Sequence, residues 1–165
     1  MMKFRQFITK FGSYLASLLA LPYLLIVWRD IIKGDPRGAW TLFGILALCF
    51  IVPLGLAGLT KVFFFRHRPK PMQTGNRYKR LMAGSFPSMH TITVMTFWIL
   101  ATLVFADTPG FWWMFCFYGV IAILVMISRV VLKKHFVHDV IGGIAYTIIG
   151  LMIVYKCFFP FLFPV

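Results

Sequence analysis

Glutamate is absent from the sequence, and the only acids are Asp30, Asp35, Asp107 and Asp139. Against them stand 17 lysines and arginines, for a formal net charge of +13. Charge of either sign is scarce at 13% of residues, about half of what a soluble domain carries. That scarcity excludes a disordered chain or a nucleic-acid-binding tail and argues against a soluble enzyme. Cysteine is also sparse. Cys49, Cys116 and Cys157 are isolated, odd in number and set in apolar runs. They form neither a disulfide framework nor a CxxC metal pattern and are read as packing residues. There is no internal repeat and no low-complexity tract, and 165 residues suit a single domain, 1–165.

What the chain has in abundance is apolar surface: 61% hydrophobic residues and a mean hydropathy of +0.87. A helix crossing a bilayer needs about 20 mostly apolar residues. Five runs qualify, at 13–28, 39–60, 91–107, 111–127 and 139–159, the first and fourth at the short end. All must be helical, because lipid cannot satisfy an open backbone. The expected fold is all-α, a polytopic membrane bundle of about five transmembrane helices. Residues 1–12 differ. Phe4, Phe7, Ile8 and Phe11 fall at helical spacing with Lys3, Arg5, Gln6 and Lys10 between them, which predicts an N-terminal interfacial amphipathic helix. No small-residue cleavage site follows the first apolar run, so a cleaved signal peptide is not expected. Pro22 is expected to kink the first span. Gly142, Gly143, Ala145 and Gly150 predict close helix packing in the last. Phe111, Trp112 and Trp113 read as an interfacial aromatic belt.

The connections are uneven. Residues 29–38 form a short polar turn and 107–110 a tight loop. The segment 61–88 is long and holds Lys61, Arg66, Arg68, Lys70, Arg77, Lys79 and Arg80 with no acid among them. Residues 128–139 add Arg129, Lys133, Lys134, His135, His138 and Asp139. Each of these segments follows an even-numbered span, so alternation brings both to one membrane face. A basic, apolar protein of this kind suits an anionic lipid surface or an anionic substrate.

Three local patterns lie in these segments: Lys61-x6-Arg68-Pro69, Pro87-Ser88-Met89-His90, and Ser128-Arg129-x5-His135-x3-Asp139. Lys61, Arg68 and Arg129 supply fixed positive donors, the arginines as forks that match phosphate oxygens. Ser88 supplies a hydroxyl. A helix starting near Pro87 or Ser88 would aim free backbone N–H groups at an anion. His135 and Asp139 are four apart. A carboxylate on one ring nitrogen fixes the tautomer and leaves the other nitrogen free to attack. His90, on another helix, can protonate a leaving oxygen. A nucleophile and an acid on opposite sides of one phosphorus suit in-line displacement. His135, His138 and Asp139 also have the look of a metal cluster, but the pattern is explained without one, so no metal site and no cofactor are expected.

The set and its order resemble the type 2 phosphatidic acid phosphatase family, whose pattern is K-x6-RP, PSGH and SR-x5-H-x3-D. The likeness covers residues 61–139. It implies a helical bundle with its site at the outer membrane face. It implies that Lys61, Arg68, Ser88 and Arg129 hold the phosphate, that His135 forms a phosphohistidine oriented by Asp139, and that His90 is the acid for the leaving group. It implies action on an envelope lipid phosphate without metal: lipid A 1-phosphate, undecaprenyl diphosphate or phosphatidylglycerol phosphate. Lys70, Arg77, Lys79 and Arg80 would line the substrate entrance. The expected setting is the bacterial inner membrane, with the site facing the periplasm or exterior and the 29–38 turn inside. The expected partners are membrane lipids and an anionic lipid phosphate, not nucleic acid. Two other readings share the cations: phosphotransfer to a second lipid, and a non-catalytic lipid-binding or transport protein. The latter needs no His90, His135 and Asp139. Two departures from the pattern stand out. Met89 takes the place of glycine in the second motif, where glycine would ease close backbone approach. Two spans, where three are usual, precede the first motif.

Overall fold

The computed structural model describes residues 19–64, 66–69 and 84–162. The expected interfacial helix at 1–12 lies outside these residues. The architecture is all-helical. Helix α1 covers 19–32, α2 Pro36–Phe63, α3 Met89–Val104, α4 Phe111–Val131 and α5 Val137–Leu162.

The polar turn expected at 29–38 is tighter than its composition suggests. Asp35 accepts a hydrogen bond from Gly38 N at 2.9 Å, and Pro36 takes the first helical position. Together they start α2 almost where α1 ends. Three segments are long and apolar enough to cross a membrane: Pro36–Phe63, Phe111–Val131 and Val137–Cys157. Their flanks carry exposed apolar side chains such as Trp40, Ile51, Trp113 and Ile141, which only a bilayer can cover at this density. This is a multi-pass membrane protein.

Helix α3 departs from the expected 91–107 span. It has 16 residues, about 24 Å at helical rise and short of a hydrocarbon core of about 30 Å. Burial supplies the reason. Ile92, Val94, Met95, Phe97, Leu100 and Ala101 are all inside, and α3 packs against α2, α4 and α5. A helix walled in by its neighbours meets little lipid, so bilayer thickness does not set its length. Tyr23 donates to Phe97 O at 2.7 Å and Tyr118 donates to Leu19 O at 2.8 Å, tying α1 to α3 and α4.

The small residues of α5 behave largely as expected. A Cβ on Gly143 would meet Thr91 Cβ at 2.8 Å and Ser88 O at 2.9 Å, and one on Gly150 would meet Pro53 Cβ at 2.5 Å. These are backbone-to-backbone approaches that only glycine permits. Ala145 instead faces outward. Cys49 is buried as a packing residue should be, whereas Cys116 and Cys157 are exposed, free thiols. Replacing Gly150 by valine should push α5 off α2 at Pro53. We expect a loss of about 1–3 kcal/mol, read as a lower melting temperature in detergent.

Candidate active site

Alternating helix direction sets the site. The C-terminal ends of α2 and α4 and the N-terminal ends of α3 and α5 share one end of the bundle. Each brings polar side chains from its last or first turn. Lys61 lies in the last turn of α2, Ser88 caps α3, Arg129 lies in the last turn of α4 and Asp139 in the first turn of α5. The two basic segments therefore meet, as alternation predicted.

The loop before α3 stitches them together. Ser85 N donates to Arg66 O at 2.8 Å, and Ser88 N donates to Asp139 O at 2.9 Å. The Lys61 ammonium donates to Gly84 O at 2.6 Å. Lys61 is 2% exposed, Arg129 2%, His135 4%, and Ser88 and Asp139 0%. Burying this much charge is expensive unless each group is held in place by neighbours.

The turn that delivers His135 has its own device. Lys133 adopts φ 53°, and the chain folds back so that Lys134 N and His135 N both donate to Arg129 O, at 3.0 and 3.2 Å. A left-handed residue just past a helix end satisfies the last carbonyls in this way. Arg129 and His135 are thereby fixed against each other through the backbone.

Asp139 is not the hydrogen-bond partner of His135 that the spacing suggests. The imidazole Nδ1 lies 2.8 Å from Ser85 O and 3.6 Å from Asp139 Oδ2. Only the first distance is that of a hydrogen bond. A carbonyl can only accept, so Nδ1 carries the proton and Nε2 keeps its lone pair. The backbone carbonyl of Ser85 therefore fixes the tautomer, while Asp139 acts on the ring as a nearby charge. Asp139 Oδ2 accepts from Phe136 N at 2.8 Å. Its Oδ1 lies 3.5 Å from Arg66 Nη1 and makes no hydrogen bond among the described residues. The Arg66 guanidinium also sits over the Phe136 ring, 4.9 Å from its centre.

Burial pushes the His135 imidazole down to about 4, with Arg68 and Lys61 adding to the shift and Ser85 O and Asp139 opposing it. The ring is neutral at pH 7, as a nucleophile must be. Its folded pKa lies below the unfolded value of about 6.5, so between those values the unfolded chain binds the extra proton. Stability should fall as pH is lowered from 6.5 towards 4. Thermal unfolding in detergent across that range should show the fall, and His135→Gln should flatten it.

His90 lies in the first turn of α3 and is exposed. Two residues after the Ser88 cap, it shares the end of the bundle that holds the cluster. Arg68 is half-buried in the loop after α2. Burial lowers its guanidinium and Asp139 opposes the shift, and it stays charged. Met89 opens α3 with an ordinary backbone, since Lys133 alone among the described non-glycine residues has positive φ. The second motif therefore has no need of glycine's freedom here. Lys70, Arg77, Lys79 and Arg80 lie outside the described residues. His138 is exposed, and no group of three metal-binding side chains occurs among the described residues.

The sequence did not single out Arg66 or Ser85. Arg66 was one cation in a run of them, and a carbonyl leaves no mark in a sequence. In charge terms the site sets Lys61, Arg66, Arg68, Arg129 and Lys134 against the single carboxylate of Asp139, and Arg129 Nε has no partner among the described residues. Such a cluster can bind a dianion, and the neutral His135 beside it can attack one.

Comparison with known proteins identifies the family and the fold. The family model of the PAP2 superfamily matches residues 38–162. Among solved structures, the chain is similar to a transmembrane PAP2-type phosphatidylglycerolphosphate phosphatase from Bacillus subtilis. The TM-score is 0.66 and the identity 26%, over 94% of this chain and 77% of that one. No curated protein matches the sequence significantly.

Proposed function

The chain belongs to the PAP2 superfamily, and from that premise we propose that it is an integral membrane phosphatase. It removes a phosphate from an anionic lipid through a phosphohistidine, with no metal. The observation that carries the reading is the pairing of a neutral, buried His135, its Nδ1 on Ser85 O at 2.8 Å, with a cluster of cations at the same end of the bundle. A protein that only bound lipid phosphate would use the cations and have no need of the oriented imidazole.

Lys61, Arg68, Ser88 and Arg129 hold the phosphoryl oxygens and take up the charge that develops on them. His135 Nε2 attacks phosphorus, the P–N bond forms and the bond to the lipid oxygen breaks. That oxygen takes a proton from the imidazolium of His90, a form that the bound phosphate dianion favours against the cations around it. Water, giving a proton back to His90, then attacks phosphorus and breaks the P–N bond. Inorganic phosphate leaves and His135 returns to its starting state. The cations supply the electrostatic stabilisation that a metal would otherwise give.

The similarity to a phosphatidylglycerolphosphate phosphatase favours that lipid over undecaprenyl diphosphate and lipid A 1-phosphate. The setting we propose is the bacterial cytoplasmic membrane with the site facing outward. There the cations of 61–88 serve the substrate rather than the positive-inside bias. The test is phosphate release by detergent-purified protein, in chelator, from the three lipids in parallel. Release led by phosphatidylglycerol phosphate and indifferent to chelator is expected. Loss on chelation with rescue by one metal would overturn the metal-free mechanism, and appearance of a phosphorylated second lipid in place of free phosphate would make the protein a phosphotransferase.

A further inference from the structure

Below the charged cluster, between the end of α2 and the third turn of α5, lies an open groove of about 360 Å³, within the range of small-molecule sites. Leu59, Thr60, Phe63 and Phe64 line one side, and Tyr146 and Ile149 the other. Leu59, Phe63, Phe64 and Ile149 are all exposed along the flank of the bundle, so the groove opens to the bilayer rather than to water. We infer that it holds the upper part of one hydrocarbon chain of the lipid substrate, an inference that rests on the lipid-phosphatase reading above.

Three features point to that occupant. The first is continuity with the site. Thr60 in the groove directly precedes Lys61 in the cluster. Tyr146 stands seven residues after Asp139, two turns or about 10 Å along the same face of α5. The Tyr146 ring meets Phe86 edge-on at 6.1 Å between centres, and Phe86 lies two residues before Ser88. A lipid whose phosphate rests on Lys61 and His135 brings its first chain carbons to this depth. The second is that the groove is closed beyond. Deeper still, Pro53 on α2 and Gly150, next to Ile149 on α5, are in direct contact, with no room for a Cβ between them. An occupant must leave sideways into the bilayer, as an acyl chain does.

The third is polarity. The only hydroxyls in the groove bond each other, Thr60 Oγ1 to Tyr146 Oη at 2.7 Å. Thr60 gives its proton to Leu56 O at 2.9 Å, so Tyr146 is the donor in the pair. Both protons are spent, and the groove presents no unpaired donor to a hydrocarbon, which would otherwise carry a desolvation cost.

The test fills the groove from its exposed walls. Leu59→Trp and Ile149→Trp, with Ile123→Trp on the exposed face of α4 as control, are assayed in detergent. The substrates are p-nitrophenyl phosphate, which has no chain, and dioctanoyl and dipalmitoyl phosphatidylglycerol phosphate. The KM for dipalmitoyl lipid should rise roughly tenfold in both groove variants, the equivalent of about two buried methylenes lost. The p-nitrophenyl phosphate kinetics and the control should stay at wild-type values. Unchanged KM for every substrate, or an equal rise for the chainless one, would overturn the assignment. So would a groove variant that changes the oligomeric state with no chain-length effect, because the groove would then be a seat for a second copy. A wild type that hydrolyses none of the three substrates would overturn the phosphatase reading, and this one with it. Hydrolysis of p-nitrophenyl phosphate with the predicted effect missing would overturn the groove alone.

Discussion

Replacing His135 by alanine should abolish phosphate release, with kcat down by at least about 10⁴, the scale seen when a nucleophile is removed from an active site. The expectation comes from geometry. The ring is buried, its Nδ1 is engaged by Ser85 O at 2.8 Å, and its free Nε2 is therefore the lone pair offered to the phosphoryl site. The cations remain in the variant, so substrate still binds and the loss falls on kcat rather than KM. His135→Ala should also hold inorganic phosphate as the wild type does. A trapped phosphoenzyme gives the positive counterpart. Brief exposure of wild type to labelled substrate, followed by quenching in base, should leave acid-labile label on the protein, and none on His135→Ala. Turnover near the wild-type rate in the variant would remove His135 from the nucleophile's place, whatever the labelling shows.

The expectation for His135 follows from motif spacing together with the family resemblance, and it is instructive where spacing stopped. Helix alternation and three short motifs were enough to bring Lys61, Ser88, Arg129, His135 and Asp139 to one end of the bundle. Side chains at helix ends inherit their position from helix direction, and direction follows from counting spans. What spacing could not give is what lies across a loop. The i,i+4 relation of His135 and Asp139 suggests a direct hydrogen bond, yet the loop at 84–87 reaches the imidazole first with a carbonyl. Arg66 finds Asp139 because Ser85 N bonds to Arg66 O, a contact between two loops that no periodicity encodes. The same limit applies to α3. The apolar run continues to 107 while the helix ends at Val104, since hydropathy registers apolar character and does not distinguish lipid-facing from helix-facing surface. Met89 is the reverse case. The sequence marks it as a departure from the family pattern, and the structure shows a helix start whose backbone has no need of glycine's freedom.

Asp139→Asn should separate catalysis from binding. In the folded protein this carboxylate is fully buried. It is 3.5 Å from Arg66 Nη1 and 3.6 Å from His135 Nδ1, and it holds Phe136 N at 2.8 Å. As the one negative charge among the site's cations, it does two opposing things in the proposed reaction. It favours the positive charge that develops on the His135 ring as Nε2 bonds to phosphorus, and it repels the phosphate dianion. An amide keeps the shape and removes both effects. The rate of the chemical step should fall by about 10²–10⁴, the range for losing a preorganised charge or orienting group in an active site. Binding of inorganic phosphate should hold or tighten, because a repulsive charge has gone. The free protein should be less stable, since removing one partner leaves buried cations uncompensated. Saturating phosphate should restore much of that stability by binding the folded state alone. Measuring kcat, the inhibition constant for inorganic phosphate and the melting temperature with and without it gives three readings from one variant. A purely structural role would lower the melting temperature and weaken phosphate binding together. An orienting and charge-balancing role lowers kcat while inorganic phosphate binds at least as well as before.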